Sequence, residues 1–283
     1  MNRGKVWTCI LLLLSAGALT GCGNSDKTEE VHSFAVWEKT DEAAYTFSDG
    51  VQAVKWKNEK ENTQQYRYRL EDGTDLLQTT FVLSPEEEPD SELSGFEGME
   101  EAAQEKVRAY YQKQGILYDL EKELEDAYAD YQSCADEREH FTCHEVSQDV
   151  TESAENGKYM VILTAVTTPK KQHFDGGTTC NYQTAVFDRE TGETIDVWEL
   201  FTHSQEETKE ELAKICSVED TTVSEKDVAP VMDQSQILFF QDYMEVWFPY
   251  GTWERQEFDK GFGFEYEKIE GLLYDWAVPS KEE

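Results

Sequence analysis

The segment His140-x-x-Cys143-His144 has the residue types and spacing that best suit a metal ion in this sequence. Imidazole nitrogens and thiolates are the usual ligands of Zn²⁺, and Cys134 lies close by in the chain. Zinc sites usually combine two well-spaced pairs of ligands, however, and cysteines outside the cytoplasm are often oxidised. The pattern is incomplete, so we expect neither a metal ion nor any other cofactor.

The pattern Asp188-x-Glu190-x-Gly192 shares acidic positions with a calcium-binding loop but lacks the remaining oxygen ligands. A tight turn between two strands explains it better, because Asp and Gly are typical turn residues. The sequence has no Gly-x-Ser-x-Gly elbow, His-Glu-x-x-His pair, phosphate-binding glycine loop or Rossmann fingerprint. We therefore expect no catalytic residue and no enzyme. An envelope glycan hydrolase that uses carboxylates stays open as the alternative.

Residues 1–21 have the composition of an export signal, with two cations before an apolar stretch shorter than the roughly 20 residues of a membrane span. The Leu-Thr-Gly-Cys sequence that ends at Cys22 resembles the bacterial lipobox. We expect cleavage between Gly21 and Cys22 and attachment of lipid to Cys22. Residues 22–33 then serve as a flexible tether. The chain is expected on the extracytoplasmic face of a bacterial cell membrane.

Acidic residues dominate the composition, since 60 acids face 25 Lys and Arg for a formal charge of −35. Removal of residues 1–21 leaves 23 cations and a charge of −37. Such a charge repels nucleic acid and anionic lipid surfaces, so neither is expected as a partner. A cationic protein is the partner that this charge favours. The 39% hydrophobic and 12% aromatic content supports a packed core.

Four cysteines remain after the signal and the lipidated residue are set aside, and they are Cys134, Cys143, Cys180 and Cys216. An even number in an exported chain permits two disulfides. We expect the pairs Cys134–Cys143, which closes a short loop, and Cys180–Cys216, which ties a strand to a helix. Free buried thiols are the competing interpretation.

Strand-like and helical segments follow one another without a regular β–α alternation. Residues 66–83 form two alternating runs around an Asp-Gly turn, which is typical of a hairpin, and an acidic loop follows over residues 84–95. Apolar residues every three or four positions predict one long amphipathic helix over residues 97–133, with Gly115 as its point of bending or splitting. Residues 202–216 predict a second, shorter helix. The pattern predicts an α+β fold with a mainly antiparallel sheet.

Aromatic residues are concentrated near the C-terminus. Those in predicted strands are expected in the core. Tyr250, Trp253 and Phe258 instead lie in a predicted loop, where aromatic side chains often contact partners. These three residues are the predicted ligand-binding positions.

Three segments carry a resemblance to a known bacterial domain. They are residues 174–177 (Phe-Asp-Gly-Gly), residues 187–201 with a Thr-Gly turn and a Leu-Phe ending, and residues 244–250 followed by 262–273. In this order they resemble the RsiV/PdaC-type extracellular domain of lysozyme-sensing anti-sigma factors, which also occurs beside peptidoglycan deacetylase domains. The resemblance implies an α+β domain and a lysozyme-like protein as the cationic partner.

The chain departs from that domain in three respects. Thr178-Thr179-Cys180 follows the Gly-Gly pair where family members often have Ala-His, so no role passes to that histidine. The loop between residues 250 and 261 is longer than usual. No second apolar run reaches spanning length, so regulation of a sigma factor by the same route is not expected.

The expected organisation is a signal peptide (1–21), a lipidated tether (22–33), a β-rich extension (34–65) and the RsiV/PdaC-type domain (66–279). The expected function is a membrane-anchored, non-catalytic binding module for a cationic protein or envelope ligand. A structural or assembly lipoprotein is a further alternative to the hydrolase.

Overall fold

The computed structural model describes residues 37–40, 42, 45–58, 64–82, 96–134, 141–170, 177–220, 222–254, 256 and 258–279, all within one compact unit. Several predicted features lie outside these residues, namely the signal peptide 1–21 with Gly21, the lipidation site Cys22, the tether 22–33, the acidic loop 84–95 and His140. In the part of the chain that is described, no helix is long and apolar enough to cross a membrane.

Nine strands of the described chain form one large sheet. They are β1 (Trp37–Lys39), β2 (Tyr45–Thr46), β3 (Gln52–Asn58), β4 (Gln64–Arg69), β5 (Asp75–Val82), β6 (His144–Glu155), β7 (Tyr159–Pro169), β8 (Thr178–Asp188) and β9 (Thr194–Ile195). The strand order is β1-β3-β4-β5-β6-β7-β8-β9, with β2 paired to β3. All pairs are antiparallel except β5–β6, so the predicted mainly antiparallel sheet is confirmed. Strand β3 pairs with β4, which places the β-rich extension in the same sheet as the residues that follow it.

Two helices replace the single long helix predicted over residues 97–133, so that prediction is wrong in its detail. Helix α1 spans Glu101–Gln114 and helix α2 spans Leu120–Ser133. Gly115 ends α1 with a φ of 62°, and the Asp119 side chain begins α2 by accepting from Lys122 N. Gln148 of β6 holds the break, since it donates to Gly115 O at 2.9 Å and accepts from Leu117 N at 2.8 Å.

A second layer covers the other side of β7 and β8. It contains α3 (Gln205–Glu219), α4 (Glu225–Val228) and a three-stranded antiparallel sheet of β10 (Ile237–Phe239), β11 (Tyr243–Phe248) and β12 (Lys260–Glu265). The helix predicted over 202–216 is found as α3, whose Ser204–Glu207 capping box satisfies its first turn. Apolar side chains of both sheets and of α3 share one core, in which Leu212, Phe239 and Phe264 are fully buried.

Candidate functional site

The predicted aromatic loop, residues 249–259, joins β11 to β12 and separates its three aromatic side chains. Trp253 turns inward and packs edge-on against Phe248, with the ring centroids 5.2 Å apart. Phe258 turns outward and has 68% of its surface exposed, the highest value among the large aromatic side chains described. Tyr250 is half-buried. Tyr250 and Phe258 are therefore the aromatic side chains of this loop that a partner can reach.

Asp259 anchors the aromatic loop to the first residues of β8. Its carboxylate accepts from Thr179 Oγ1 at 2.6 Å, from Cys180 N at 3.0 Å and from Tyr250 N at 2.6 Å. Trp247 reinforces the junction by donating from its indole nitrogen to Cys180 O at 2.8 Å. Hydrogen bonds to a charged acceptor are stronger than neutral ones, so one carboxylate fixes the loop.

Lys170, at the end of β7, lies against both reachable aromatic rings. Its ammonium nitrogen is 5.3 Å from the centre of the Tyr250 ring and 4.8 Å from that of Phe258. Both distances are within the range in which an aromatic face attracts a cation. The loop thus already holds an ammonium group that belongs to this chain.

A half-buried carboxyl group, that of Glu245, lies on the face of β11 that carries Trp247. Glu245 packs beside Gly261 of β12 so closely that a Cβ at position 261 would overlap its carboxylate oxygen. Burial raises the pKa of Glu245 to about 7. A carboxyl group with this pKa is protonated in part of the molecules at neutral pH and can donate a proton or a hydrogen bond.

Further titratable groups surround the same region. Burial raises the pKa of Asp149 on β6 and of Cys180 and Tyr182 on β8. Glu245 and Asp259 add to the rise for Tyr182, and Asp259 and Asp149 add to the rise for Cys180. Asp149 and Asp259 therefore act on a thiol that stays protonated, so the described residues of this region offer acid–base groups and no activated nucleophile.

The pKa of Glu245 predicts that this carboxyl group destabilises the protein as the pH rises. Its pKa in the fold, about 7, is higher than the usual value of 4.5 for a glutamate, so the folded state binds the proton more tightly. The stabilising contribution of the proton on Glu245 is therefore complete below about pH 4.5 and is lost as the pH rises through 7. We expect Glu245→Gln to raise the free energy of unfolding at pH 8 by about 2 kcal/mol and to leave it nearly unchanged at pH 4.5.

Urea denaturation at both pH values measures this difference. Glu225→Gln, an exposed position on α4, serves as the matched control and should show no pH-dependent gain. An equal effect of the two variants at pH 8 would remove the assignment of a raised pKa to Glu245.

Cys143 and His144, which belong to the candidate metal pattern, make contacts within the protein instead. His144 Nε2 lies 2.9 Å from Asp130 Oδ2, which joins the start of β6 to α2. Cys143 Sγ lies 3.4 Å from His144 O. Within the described ranges no group of three or more His, Cys, Asp and Glu could hold a metal ion.

The pattern at residues 188–192 forms the predicted turn, between β8 and β9. Asp188 Oδ1 accepts from Thr191 N at 2.7 Å and from Thr191 Oγ1 at 2.8 Å. Gly192 adopts a φ of 70° and approaches the backbone of Ala103 in α1. The acidic residues of this pattern therefore shape a turn that contacts a helix.

The four described cysteines are free, so the predicted bonds Cys134–Cys143 and Cys180–Cys216 are corrected. Cys216 is a fully buried residue of α3, whereas Cys180 lies near Thr167 and Tyr182. Cys134 Sγ lies 4.0 Å from Ser133 Oγ at the end of α2. Burial raises the pKa of Cys143 and of Cys216 to about 12, so both thiols stay protonated.

Lys170, Glu245 and Asp259 are the site residues that the sequence did not identify. Lys170 follows the last residue of β7 and reaches the loop because β7 pairs with β8, to which Asp259 anchors the loop. Asp259 is one of many acids in the sequence, and its three donors come from two distant segments. Alternation along β11 places Glu245 and Trp247 on one face, but only the packing of Trp247 against Cys180 and Tyr182 of β8 covers that face.

Comparison with solved structures finds six similar chains, among them two proteins of the DUF3298 family. One is a DUF3298 family protein of Pseudomonas aeruginosa PAO1, with 11% identity and a TM-score of 0.36, matched over 85% of this chain and 99% of that chain. The other is a DUF3298 family member from Bacteroides fragilis, with 10% identity and a TM-score of 0.36, matched over 72% and 87% respectively. At these TM-scores neither likeness establishes a shared fold. No family model and no curated protein matches the sequence.

Proposed function

We propose that this chain is an extracytoplasmic lipoprotein, anchored to the membrane through Cys22, whose folded body binds a cationic protein without catalysis. The observation that carries the proposal is the position of Lys170, whose ammonium nitrogen lies against the exposed ring of Phe258 and the half-buried ring of Tyr250. A lysine or arginine of a partner would make the same contact once it displaces Lys170. The family resemblance suggests a lysozyme-like protein as the partner.

The charge of the chain supports the same class of partner. With 60 acids against 25 Lys and Arg, the body attracts cationic proteins over several ångströms and repels anionic ones. Such attraction weakens as salt shortens the screening length from about 30 Å at 0.01 M to about 8 Å at 0.15 M. Binding is therefore expected to be tighter at low salt.

Calorimetric titration of residues 23–283 with hen egg-white lysozyme tests the proposal. Phe258→Ala should weaken binding about threefold to fivefold, because an exposed cation–π contact contributes about 0.5–1 kcal/mol. Lys170→Ala should strengthen binding by a similar factor, since it removes the ammonium group that lies against the two rings. Because the two substitutions are expected to change the affinity in opposite directions, the titration distinguishes displacement of Lys170 from a general loss of surface contacts.

Val218→Ala is the matched control, because Val218 is 75% exposed and lies on α3, outside the aromatic loop. It should leave the affinity unchanged. Absence of measurable heat with lysozyme at about 0.01 M salt, or equal effects of Phe258→Ala and Val218→Ala, would contradict the proposal.

The anchoring half of the proposal has its own test. Expression of the full chain in a bacterium that is fed radiolabelled palmitate should give a labelled protein in the membrane fraction. Cys22→Ser should abolish the label and release the protein from that fraction, whereas Cys134→Ser should retain both. Label that persists in the Cys22→Ser protein would place the lipid elsewhere.

A second candidate function is an envelope glycan hydrolase that uses carboxylates. Glu245 favours it, since a carboxyl group with a pKa of about 7 suits a general acid near neutral pH. Incubation of residues 23–283 with peptidoglycan, followed by chromatography of released fragments, tests this function. Fragments that disappear with Glu245→Gln would support hydrolysis and contradict the non-catalytic proposal.

A further inference from the structure

A polar cleft of about 650 Å³ lies beside β8, and no residue of the aromatic loop is among the described residues that line it. Separate parts of the fold form its walls, namely Tyr110 of α1, Gln183 of β8, Trp198 in the turn after β9, Gln205 at the start of α3 and Gln234 just before β10. Its volume falls within the range of about 300–1,000 Å³ that small-molecule sites occupy. The cleft is therefore large enough for a small organic ligand.

Hydrogen bonds between distant segments fix the walls of the cleft. Gln114 of α1 donates from Nε2 to Gln183 Oε1 at 2.9 Å and so holds the helix against β8. Thr184 donates from Oγ1 to Ile237 O at 2.7 Å, which holds the turn before β10 against the same strand. A cleft whose walls are fixed before binding spares a ligand the entropic cost of ordering them.

Neutral polar groups in the cleft are available to a ligand. Within the part of the chain that is described, the Tyr110 hydroxyl and both polar atoms of the Gln234 side chain have no hydrogen-bond partner in the protein. Gln183 uses its Oε1 for Gln114, and its Nε2 likewise has no partner among the described residues. A hydroxyl and an amide can each donate and accept, which matches the hydroxyl groups of a sugar.

Two half-buried aromatic rings, those of Tyr110 and Trp198, supply apolar surface to the cleft. In the amide orientation that satisfies both of its polar atoms, Gln205 accepts from the Trp198 indole nitrogen at 3.2 Å. The polar end of the indole is thus bonded within the protein, and its ring contributes apolar area. A sugar has apolar C–H faces and a rim of hydroxyl groups, so aromatic rings beside amides are complementary to it.

Charge excludes one class of ligand from the cleft. Asp196 and Asp233 line it, whereas no Lys, Arg or His does so among the described residues, and phosphates and carboxylates are therefore repelled. Each aspartate has a structural role, since Asp196 Oδ1 accepts from Trp198 N at 3.0 Å and Asp233 Oδ1 accepts from Ser235 N at 2.7 Å. These two carboxylates alone do not define a ligand, and the neutral groups around them favour a neutral one.

We propose that the cleft binds a short neutral oligosaccharide. The apolar faces of its sugar rings contact Tyr110 and Trp198, and its hydroxyl groups exchange hydrogen bonds with Gln183 and Gln234. The proposal does not rest on the binding of a cationic protein, because the aromatic loop contributes no described residue to the cleft. Either proposal can therefore fail without the other.

Saturation-transfer-difference NMR with residues 23–283 in about 0.15 M salt tests the proposal. The probes are tri-N-acetylglucosamine, cellotriose and maltotriose, which are neutral and differ in substituent or linkage. We expect saturation transfer to at least one of them, and titration of that sugar gives its Kd. Tri-glucosamine, whose amines are cationic, should bind less tightly than the best neutral probe.

Tyr110→Phe and Gln234→Ala should each weaken binding of the best neutral probe about threefold to tenfold, because each removes a neutral hydrogen bond. The phenylalanine ring keeps the edge-on contact of Tyr110 with Phe187, and Gln234 is exposed, so both variants should fold. Tyr274→Phe and Gln112→Ala are the matched controls, since both residues are exposed and neither lines the cleft. The two controls should leave the affinity unchanged.

Absence of saturation transfer to all three neutral sugars, or tighter binding of tri-glucosamine than of any of them, would overturn the proposal. Binding that Tyr110→Phe and Gln234→Ala both leave unchanged would place the sugar outside the cleft and overturn it as well. Phe258→Ala should not alter sugar binding, which separates this site from lysozyme binding at the aromatic loop.

Discussion

Substitution of Gly192 by Ala is expected to lower the free energy of unfolding by about 3 kcal/mol. Gly192 has a φ of 70°, a conformation that residues with a Cβ rarely adopt. A Cβ at this position would also overlap the backbone of Ala103, which is 2% exposed on the inner side of α1. Backbone atoms of a packed helix cannot rotate away as a side chain can. Either the turn or the helix must therefore move.

Gly73→Ala is the matched control for this substitution. Gly73 has a φ of 91°, and a Cβ there would meet no atom within 4 Å. The control therefore measures the cost of the backbone conformation alone, which should be about 1 kcal/mol. Urea denaturation of both variants at one pH gives the comparison. Equal losses would show that contact with α1 contributes nothing.

Substitution of Asp259 by Ala is expected to lower the free energy of unfolding by about 3 kcal/mol and to release the aromatic loop. The carboxylate accepts three hydrogen bonds, and the donors Cys180 N and Tyr250 N belong to the backbone and cannot turn to water freely. Asp259→Asn keeps one carbonyl oxygen and should lower the free energy of unfolding by about half as much. Urea denaturation measures both changes.

Two controls give this prediction its specificity. Asp275→Ala removes an exposed carboxylate and should change the stability by less than about 0.5 kcal/mol. In a double-mutant cycle, Phe258→Ala should no longer affect lysozyme binding once Asp259 is Ala, because the ring has lost its fixed position. Additive effects on lysozyme binding would show that Asp259 does not position Phe258.

Local patterns in the sequence predicted most of the secondary structure. The period of apolar residues predicted helix on both sides of Gly115, and a second helix was predicted over residues 202–216, where α3 is found. The sequence marked Gly115 as a point of bending or splitting but did not decide between the two, because Gln148, which holds the break, belongs to β6. Local propensity carries no information on such a distant hydrogen bond.

At the candidate site, too, local patterns in the sequence predicted the segment, whereas contacts between distant residues decided its arrangement. Tyr250, Trp253 and Phe258 were predicted as one group because they are close in the sequence and lie between two strands. The fold gives them different roles, since Trp253 joins the core while Phe258 contacts Lys170. Disulfides were expected from the number of cysteines, yet each thiol lies in a separate environment of the structure.

The sequence by itself determined the acidic charge, the turn around Gly192 and the aromatic loop, and it predicts an export and lipidation signal ending at Cys22. These features depend on composition and on residues that are neighbours in the chain. Only the tertiary structure decided that Lys170 meets the loop and that Glu245 is half-buried beside Gly261. Strand pairing and layer packing bring together residues far apart in the chain, and no local pattern encodes those distances.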